Sequence, residues 1–397
     1  MDTTRAFVGL TCRDCEATVD VDAGTHRCPE CGGKLDPTYD ESELDLDRET
    51  FTDRRMDSMW RYEELLPFPR ESAVSIGEGA TQLVEAPQLA ETVGVGRVLI
   101  KDEGGNPTGT VADRGLSVTA TAALGHDAET LALASTGNGG QSTSAYAGAA
   151  GLPSQVYVPS RTGYTNKAMV TVHGGEMTVV EGRIDDAVGD FEDDLTNAAD
   201  WYPVQPFQTP YRHEGEKTLF YEIVEQLDWT VPDAIVVPTG DGTELVGSYK
   251  GATEFHEMGL IDEVPALYAA QADGCAPIVR AIEEDRPTPE PWQQPDTICG
   301  GIEIPDPNAG QWALEAVRET GGGAVSTVDD AILEAAVDVA QSVGVEMSPS
   351  AGAAVSGAQE LANRGTLGEN DTVVLVNTAT GNRQSDVLRS HLMKKGI

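Results

Sequence analysis

Residues 98–118 read VLIKDEGGNPTGTVADRGLSV. The apolar run ending at Lys101 has the character of a strand, the glycine-rich turn that follows cannot extend it, and a helical pattern resumes over 115–124. The same alternation continues outward in both directions. Strands are expected at 97–101, 130–135, 155–158, 176–180, 233–237, 266–271 and 372–376, and helices at 115–124, 140–150, 167–173, 214–227, 244–258, 328–342 and 351–363. Short apolar runs separated by amphipathic stretches imply parallel sheets joined by crossover helices, which is the α/β class. Residues 284–308, EDRPTPEPWQQPDTICGGIEIPDPN, interrupt the pattern and read as a long loop, either at a site mouth or subunit contact or as a structural excursion.

The chain has 397 residues, 40% of them hydrophobic, enough for two or three domains with a sizeable core. Its 43 glycines and low aromatic content fit helix-on-sheet packing. No apolar run approaches the roughly 18 residues of a membrane span, and MDTTRAFVGL lacks the pattern of a secretory signal, so a cytoplasmic location is expected. The 66 acidic residues against 26 basic ones give a formal net charge of −40. That charge repels nucleic acid and anionic membranes, so neither is an expected partner. The acids are spread along the chain rather than gathered in a tail, and the pattern resembles that of haloarchaeal cytoplasmic proteins, with an ordinary acidic protein as the alternative.

Four of the six cysteines form two pairs, Cys12-x2-Cys15 and Cys28-x2-Cys31, with twelve residues between them. Two such knuckles supply the tetrahedral thiolate set that Zn²⁺ prefers. Two disulfides would use the same residues, but no secretory signal accompanies them. With all four ligands from protein, such a zinc ion is structural or aids docking and leaves no position for a substrate. His26 is expected to be a bystander, and Cys275 and Cys299 to be buried thiols.

Two strand–loop–helix turns have anion-binding character. The first is Ser135-Thr136-Gly137-Asn138-Gly139-Gly140, between LALA and a helix; the second is Pro238-Thr239-Gly240-Asp241-Gly242-Thr243-Glu244, after DAIVV. Backbone N–H groups at a helix N-terminus suit a carboxylate or phosphate.

In the opening stretch, Lys101, Asp102, Glu103, Asn106, Pro107, Thr108, Gly109, Asp113, Arg114 and Gly115 fall in register with the active-site segment of threonine synthases. These are pyridoxal-phosphate (PLP) enzymes of the tryptophan-synthase β fold, fold type II, and their pattern reads roughly KDEGxNPTGSFKDRG. The second lysine of that pattern holds PLP as a Schiff base, and Ala112 stands in its place here; Thr110 and Val111 replace the serine and phenylalanine. The likeness extends to the ribbon followed by LDPTYD at 35–40, to SIGEGAT at 75–81, and to NTATGN at 377–382.

The resemblance implies two αβα subdomains with parallel sheets behind an N-terminal zinc ribbon. The ribbon would span 1–37, the larger subdomain 38–104 and 215–397, and the smaller one 105–214. It implies that Asn138, Gly240, Asp241, Gly242, Thr243 and Thr380 contact the cofactor, and that Thr81, Ser135, Thr136 and Lys167 contact substrate, with Arg161 a second basic candidate. Glu244 departs from the pattern, since a carboxylate there opposes a phosphate unless it turns to solvent. Lys101 and Lys250 each occupy their own register positions and are not spare replacements.

The family converts O-phosphohomoserine to threonine. Alanine at 112 can form no imine and move no proton, so the resemblance implies a threonine-synthase-like protein with impaired turnover, in which PLP, if bound, is held without a covalent bond. Two alternatives stand beside it: an active threonine synthase or cysteate-synthase-like enzyme, through an engineered loss of the lysine or another route, and a regulatory or binding partner of an active paralogue. The expected ligand is an amino acid or phosphorylated amino acid, and the expected assembly a homodimer or a complex with that paralogue.

Overall fold

The computed structural model describes residues 1–396. In chain order the strands are β1 Phe7–Cys12, β2 Thr18–Val19, β3 Leu35–Tyr39, β4 Gln82–Glu85, β5 Arg97–Asp102, β6 Thr130–Ala134, β7 Ser154–Pro159, β8 Glu176–Val180, β9 Trp201–Pro203, β10 Ala234–Pro238, β11 Ala266–Ala272, β12 Gly323–Thr327 and β13 Thr372–Asn377. The chain divides into two compact units, and both are mixed α/β.

Unit 1 comprises residues 1–80, 112–221 and 257–260. It holds the antiparallel sheet β2-β1-β3 and the parallel sheet β8-β7-β6-β9. Every residue of β6, TLALA, is buried, the signature of a parallel strand covered on both faces. The helix Ala112–Gly125 packs on this sheet through Leu116, Ala120 and Ala123. Its opposite face, with Val118 and Ala122, joins Leu10, Cys12, Cys28 and Leu35 of the cysteine-bearing segment in one apolar cluster. The N-terminal ribbon and residues 38–80 therefore fold with the unit that carries Ala112, whereas the sequence partition places 38–80 with the larger subdomain.

Unit 2 comprises residues 81–111, 222–256 and 261–397. Its sheet runs β12-β11-β10-β13-β5-β4, parallel except for the edge strand β4, which is antiparallel to β5. The central strand β13, TVVLVN, is apolar almost throughout because the sheet is covered on both faces. Helices Asp329–Ser342 and Gly352–Asn363 supply Ile332, Ala336, Val355 and Ala358 to its core. The stretch 284–308 is irregular apart from a single 3₁₀ turn, Gly300–Ile302.

Candidate active site

In unit 2, β10 ends at Pro238 and the helix Thr243–Glu257 begins five residues later. Between them Thr239 is buried, its N–H bonded to the Ala270 carbonyl at 2.8 Å. Gly242 has φ +95°, open to glycine and strained for other residues, and a Cβ there would meet Ala313 Cβ at 3.0 Å. A Cβ on Gly240 would lie 3.0 Å from the Gly301 carbonyl oxygen, so the 3₁₀ turn of the long loop packs directly on this bend. Asp241 Oδ1 accepts from the Thr243 N–H at 2.9 Å and from the Thr243 hydroxyl, capping the helix. One N–H that an anion could use is thus already engaged, and Glu244 adds a second carboxylate to the first turn.

The opening motif meets the C-terminal motif within the same unit. Thr110 bridges Ala379, the Thr380 N–H donates to the Gly109 carbonyl at 3.0 Å, and Val111 N–H donates to the Thr378 carbonyl at 2.9 Å. Gly109 has φ +73°, and a Cβ there would come within 2.8 Å of Thr380 Cγ2. Thr380 accepts from the Asn382 N–H at 3.5 Å and is half-buried.

Thr81 and Lys101 belong to a buried polar knot. Lys101 Nζ donates to Glu222 Oε2 at 2.7 Å, to Gln226 Oε1 at 3.0 Å and to the Thr81 carbonyl at 2.9 Å. The Thr81 hydroxyl donates to Glu103 Oε1 at 2.6 Å, and Asn106 Nδ2 to Glu103 Oε2 at 2.7 Å. Both Lys101 and Glu222 side chains are fully buried. An ammonium paired and hydrogen-bonded in this way is a structural cation, which agrees with its fixed register in the motif.

In unit 1, Ala112 is the first residue of its helix, buried in the apolar cluster with Val74 and Leu116. The next two residues are buried polar anchors: Asp113 Oδ1 accepts from the Ser142 hydroxyl at 2.5 Å, and Arg114 Nη1 donates to Thr218 Oγ1 at 2.9 Å. Glu78 of the 75–81 motif accepts from Trp60 Nε1 at 2.8 Å and the Tyr146 hydroxyl at 2.7 Å. Burial, reinforced by the Asp113 and Glu78 charges, holds the Tyr146 phenol well above its ordinary range, so it serves as a donor only.

The loop 135–140 is organised around Ser135, whose Oγ accepts from the Gly137 and Gly140 N–H groups at 3.1 and 3.0 Å. Gly137 has φ +143°, and a Cβ there would fall 2.2 Å from Asn166 Nδ2. Asn166 Nδ2 donates to Asn138 Oδ1 at 3.3 Å, and the Thr162 hydroxyl donates to the Thr136 carbonyl at 3.3 Å. Asn138 opens the helix Asn138–Ala150. Lys167 Nζ donates to the Ser160 carbonyl at 2.5 Å and is half-buried, on the helix that also supplies Asn166. Arg161 lies on the exposed surface nearby in sequence.

The four cysteine sulfurs of unit 1 lie within 4.8 Å of one another, with Cys12–Cys31 at 3.5 Å and Cys15–Cys28 at 3.6 Å. A tetrahedral ion with Zn–S bonds of about 2.3 Å needs sulfurs about 3.8 Å apart, whereas a disulfide needs about 2.05 Å, so the cluster is compatible with a zinc ribbon. Gly33 admits it: a Cβ there would strike Cys12 Sγ at 2.8 Å. His26 lies outside the cluster and packs edge-on against Tyr202 with ring centres 4.5 Å apart. Cys275 and Cys299 are buried, and burial pushes the Cys299 thiol up to about 12.

Sequence reasoning missed Glu222 as the partner of Lys101, and it missed Glu78 as the acceptor for Trp60 and Tyr146. The signal for Glu78 was a carboxylate inside an otherwise glycine-rich motif. Glu222 gave none, since a glutamate on a helix reads as surface.

A family model described as pyridoxal-phosphate dependent enzyme matches residues 74–379. A threonine synthase of Methanosarcina acetivorans is 37% identical over 93% of this chain and 90% of its own length, and one of Methanocaldococcus jannaschii is 34% identical over 94% and 93%. Among solved structures, diaminopropionate ammonia lyase from Escherichia coli superposes with a TM-score of 0.69 at 16% identity, covering 81% of this chain and 89% of that one. Maize serine racemase gives 0.67 at 18% identity, covering 80% and 94%. These two likenesses concern the fold alone. No helix among the described residues is long and apolar enough to cross a membrane.

Proposed function

Because the chain belongs to the threonine synthase family, PLP-dependent enzymes of fold type II, we propose that it keeps the family's ligand-binding loops while ordinary turnover is lost or greatly reduced at Ala112. The observation that carries this reading is the methyl side chain of Ala112 at the start of its helix, together with the full engagement of Lys101 by Glu222, Gln226 and Thr81. When bound, PLP supplies an electron sink for carbanion chemistry. For that group the fit is partial: the bend Gly240–Thr243 has the shape of a phosphate cradle, but the Asp241 cap and Glu244 weaken it, and no amine stands at position 112 for a covalent anchor. Gly240, Gly242, Thr243 and Thr380 would hold any bound PLP reversibly, without a covalent bond.

The chain's own residues retain the binding tasks. In unit 1, the loop Ser135–Asn138 offers helix-terminal N–H groups to a substrate carboxylate, and Lys167 offers a cation for a carboxylate or phosphate. In unit 2, Thr380 offers a hydroxyl to the cofactor ring. Position 112 can neither accept nor return a proton, and loss of a positioned acid–base group lowers rates by about 10²- to 10⁴-fold. Threonine release from O-phosphohomoserine, measured beside the Methanosarcina acetivorans relative, tests this. The expected rate is lower by at least about 10²-fold, and a rate equal to the relative's would overturn the reading in favour of an active enzyme using another route.

A second reading, regulation of an active paralogue by hetero-association, draws support from Val111 and Glu244, which depart from the pattern independently of position 112. Co-purification with an active paralogue from the native cell distinguishes it from a homodimer.

We assign zinc to the Cys12, Cys15, Cys28, Cys31 cluster in a structural role. Because that cluster shares an apolar core with Val118 and Ala122, removing zinc is expected to loosen the helix that begins at Ala112. Chelation followed by hydrogen exchange should show faster exchange over 112–125 as well as 7–39; a change confined to 7–39 would separate the ribbon from the site.

We also read the net charge of −40 as salt adaptation in a cytoplasmic, haloarchaeal protein. Screening of that repulsion predicts a melting temperature that rises steadily as KCl is raised from about 0.1 to 2 M, a range over which the Debye length falls from about 10 Å to below 3 Å. A melting temperature that falls with salt would contradict the assignment.

A further inference from the structure

Within unit 2, the helix Asp329–Ser342 and the C-terminal helix Ser385–Lys394 flank a cleft of about 310 Å³. Its walls are apolar, with Val337, Met347, Leu388 and Leu392 among the lining side chains, while its exposed rim carries Arg389 and Glu346. Neither of these two side chains has a hydrogen bond or ion pair among the described residues. For an arginine that is unusual in this chain, whereas an unpaired carboxylate is the ordinary case. With 66 acids for 26 bases, arginines are readily neutralised, as Arg54, Arg70, Arg97 and Arg364 are by Glu64, Asp57, Glu85 and Glu360.

An apolar cleft of small-molecule size with an unpaired guanidinium and an unpaired carboxylate at its mouth is complementary to a zwitterion with an aliphatic tail. We propose that this cleft binds a free aliphatic amino acid, its carboxylate on Arg389, its ammonium on Glu346 and its side chain against Met347 and Leu388.

The walls are fixed in place rather than formed by the ligand. Glu334 on one helix holds the other, accepting from His391 Nε2 at 2.9 Å and from Lys395. The cleft also shares backbone with the segment carrying Thr380: Met347 pairs with Thr380 in an antiparallel bridge, and the Gly381 N–H donates to the Glu346 carbonyl at 3.0 Å. Gly381 is closely fitted there, since a Cβ would lie 2.6 Å from the Met347 carbonyl oxygen. A ligand bridging Glu346 and Arg389 therefore restrains the strand pairing that sets Thr380. Residue 112 belongs to unit 1 and takes no part in this cleft.

The test is calorimetric titration of the full chain in high salt with L-leucine and L-valine, and with two half-ligands, isovalerate and isoamylamine. One saturable site is expected, with each half-ligand weaker by at least about tenfold and Arg389→Ala or Glu346→Gln weakening leucine binding to a similar degree. Ala340→Phe, at an exposed lining position, should block binding without lowering the melting temperature, and bound leucine should slow amide exchange at Gly381. Absence of saturable binding overturns the proposal. So does binding that survives Ala340→Phe, which would place the amino acid elsewhere in the molecule. So does a change in oligomeric state on Ala340→Phe in a chain that binds no leucine, which would make the cleft a contact between copies.

Discussion

Ala112→Lys is expected to convert a protein that holds PLP reversibly into one that holds it covalently, and to raise threonine formation by about 10²- to 10⁴-fold. The helix start already provides what the new side chain needs. Asp113 and Arg114 are anchored by Ser142 and Thr218, so the backbone at 112 is held in place. The surrounding apolar cluster of Val74 and Leu116 lowers the pKa of an amine placed there and favours its nucleophilic form. Attachment is read as a visible absorption band that survives gel filtration, and turnover by threonine release. Attachment without turnover would place a further defect at Glu244 or in the substrate loops, whereas failure of both would show that position 112 is not the family's lysine position in space.

Glu222→Ala is expected to destabilise the protein by about 3–5 kcal/mol, because it leaves the Lys101 ammonium buried without its counter-charge. At about 2–4 °C per kcal/mol for a domain of this size, the melting temperature should fall by roughly 10 °C. The double variant Lys101→Met, Glu222→Leu should recover much of that loss, since an apolar pair of similar volume removes both desolvation penalties. If Glu222→Ala melts with the parent, the lysine is not the structural cation described here, and its candidacy as a substitute amine reopens.

The parallel-sheet strands announced themselves because burial on both faces leaves them apolar throughout, as in TLALA and TVVLVN. Others were hidden by their chemistry. The helix Ile184–Leu195 buries only Ile184, Ala187 and Phe191, and six acidic residues in the same twelve-residue helix disguise a regular spacing. Strand β12, GAVST, is a sheet edge with one fully buried residue, and β9 is three residues ending in proline. In the candidate site, the glycine loops were legible because positive φ and close approach admit little else, as at Gly109, Gly137 and Gly242. The division of labour among carboxylates was not: Glu78, Glu103 and Glu222 are buried hydrogen-bond acceptors on a chain where most acids face solvent. Composition cannot tell the two kinds apart, because the distinction is made by tertiary partners distant in sequence.

On the proposed function, no lysine of this chain takes the place of the missing one. Purified protein in high salt, saturated with PLP, is reduced with borohydride, and its peptides are mapped by mass. No stoichiometric pyridoxyl-lysine is expected in the parent chain, and one is expected at position 112 in Ala112→Lys. A single fully labelled lysine in the parent, at Lys101, Lys250 or elsewhere, would contradict it.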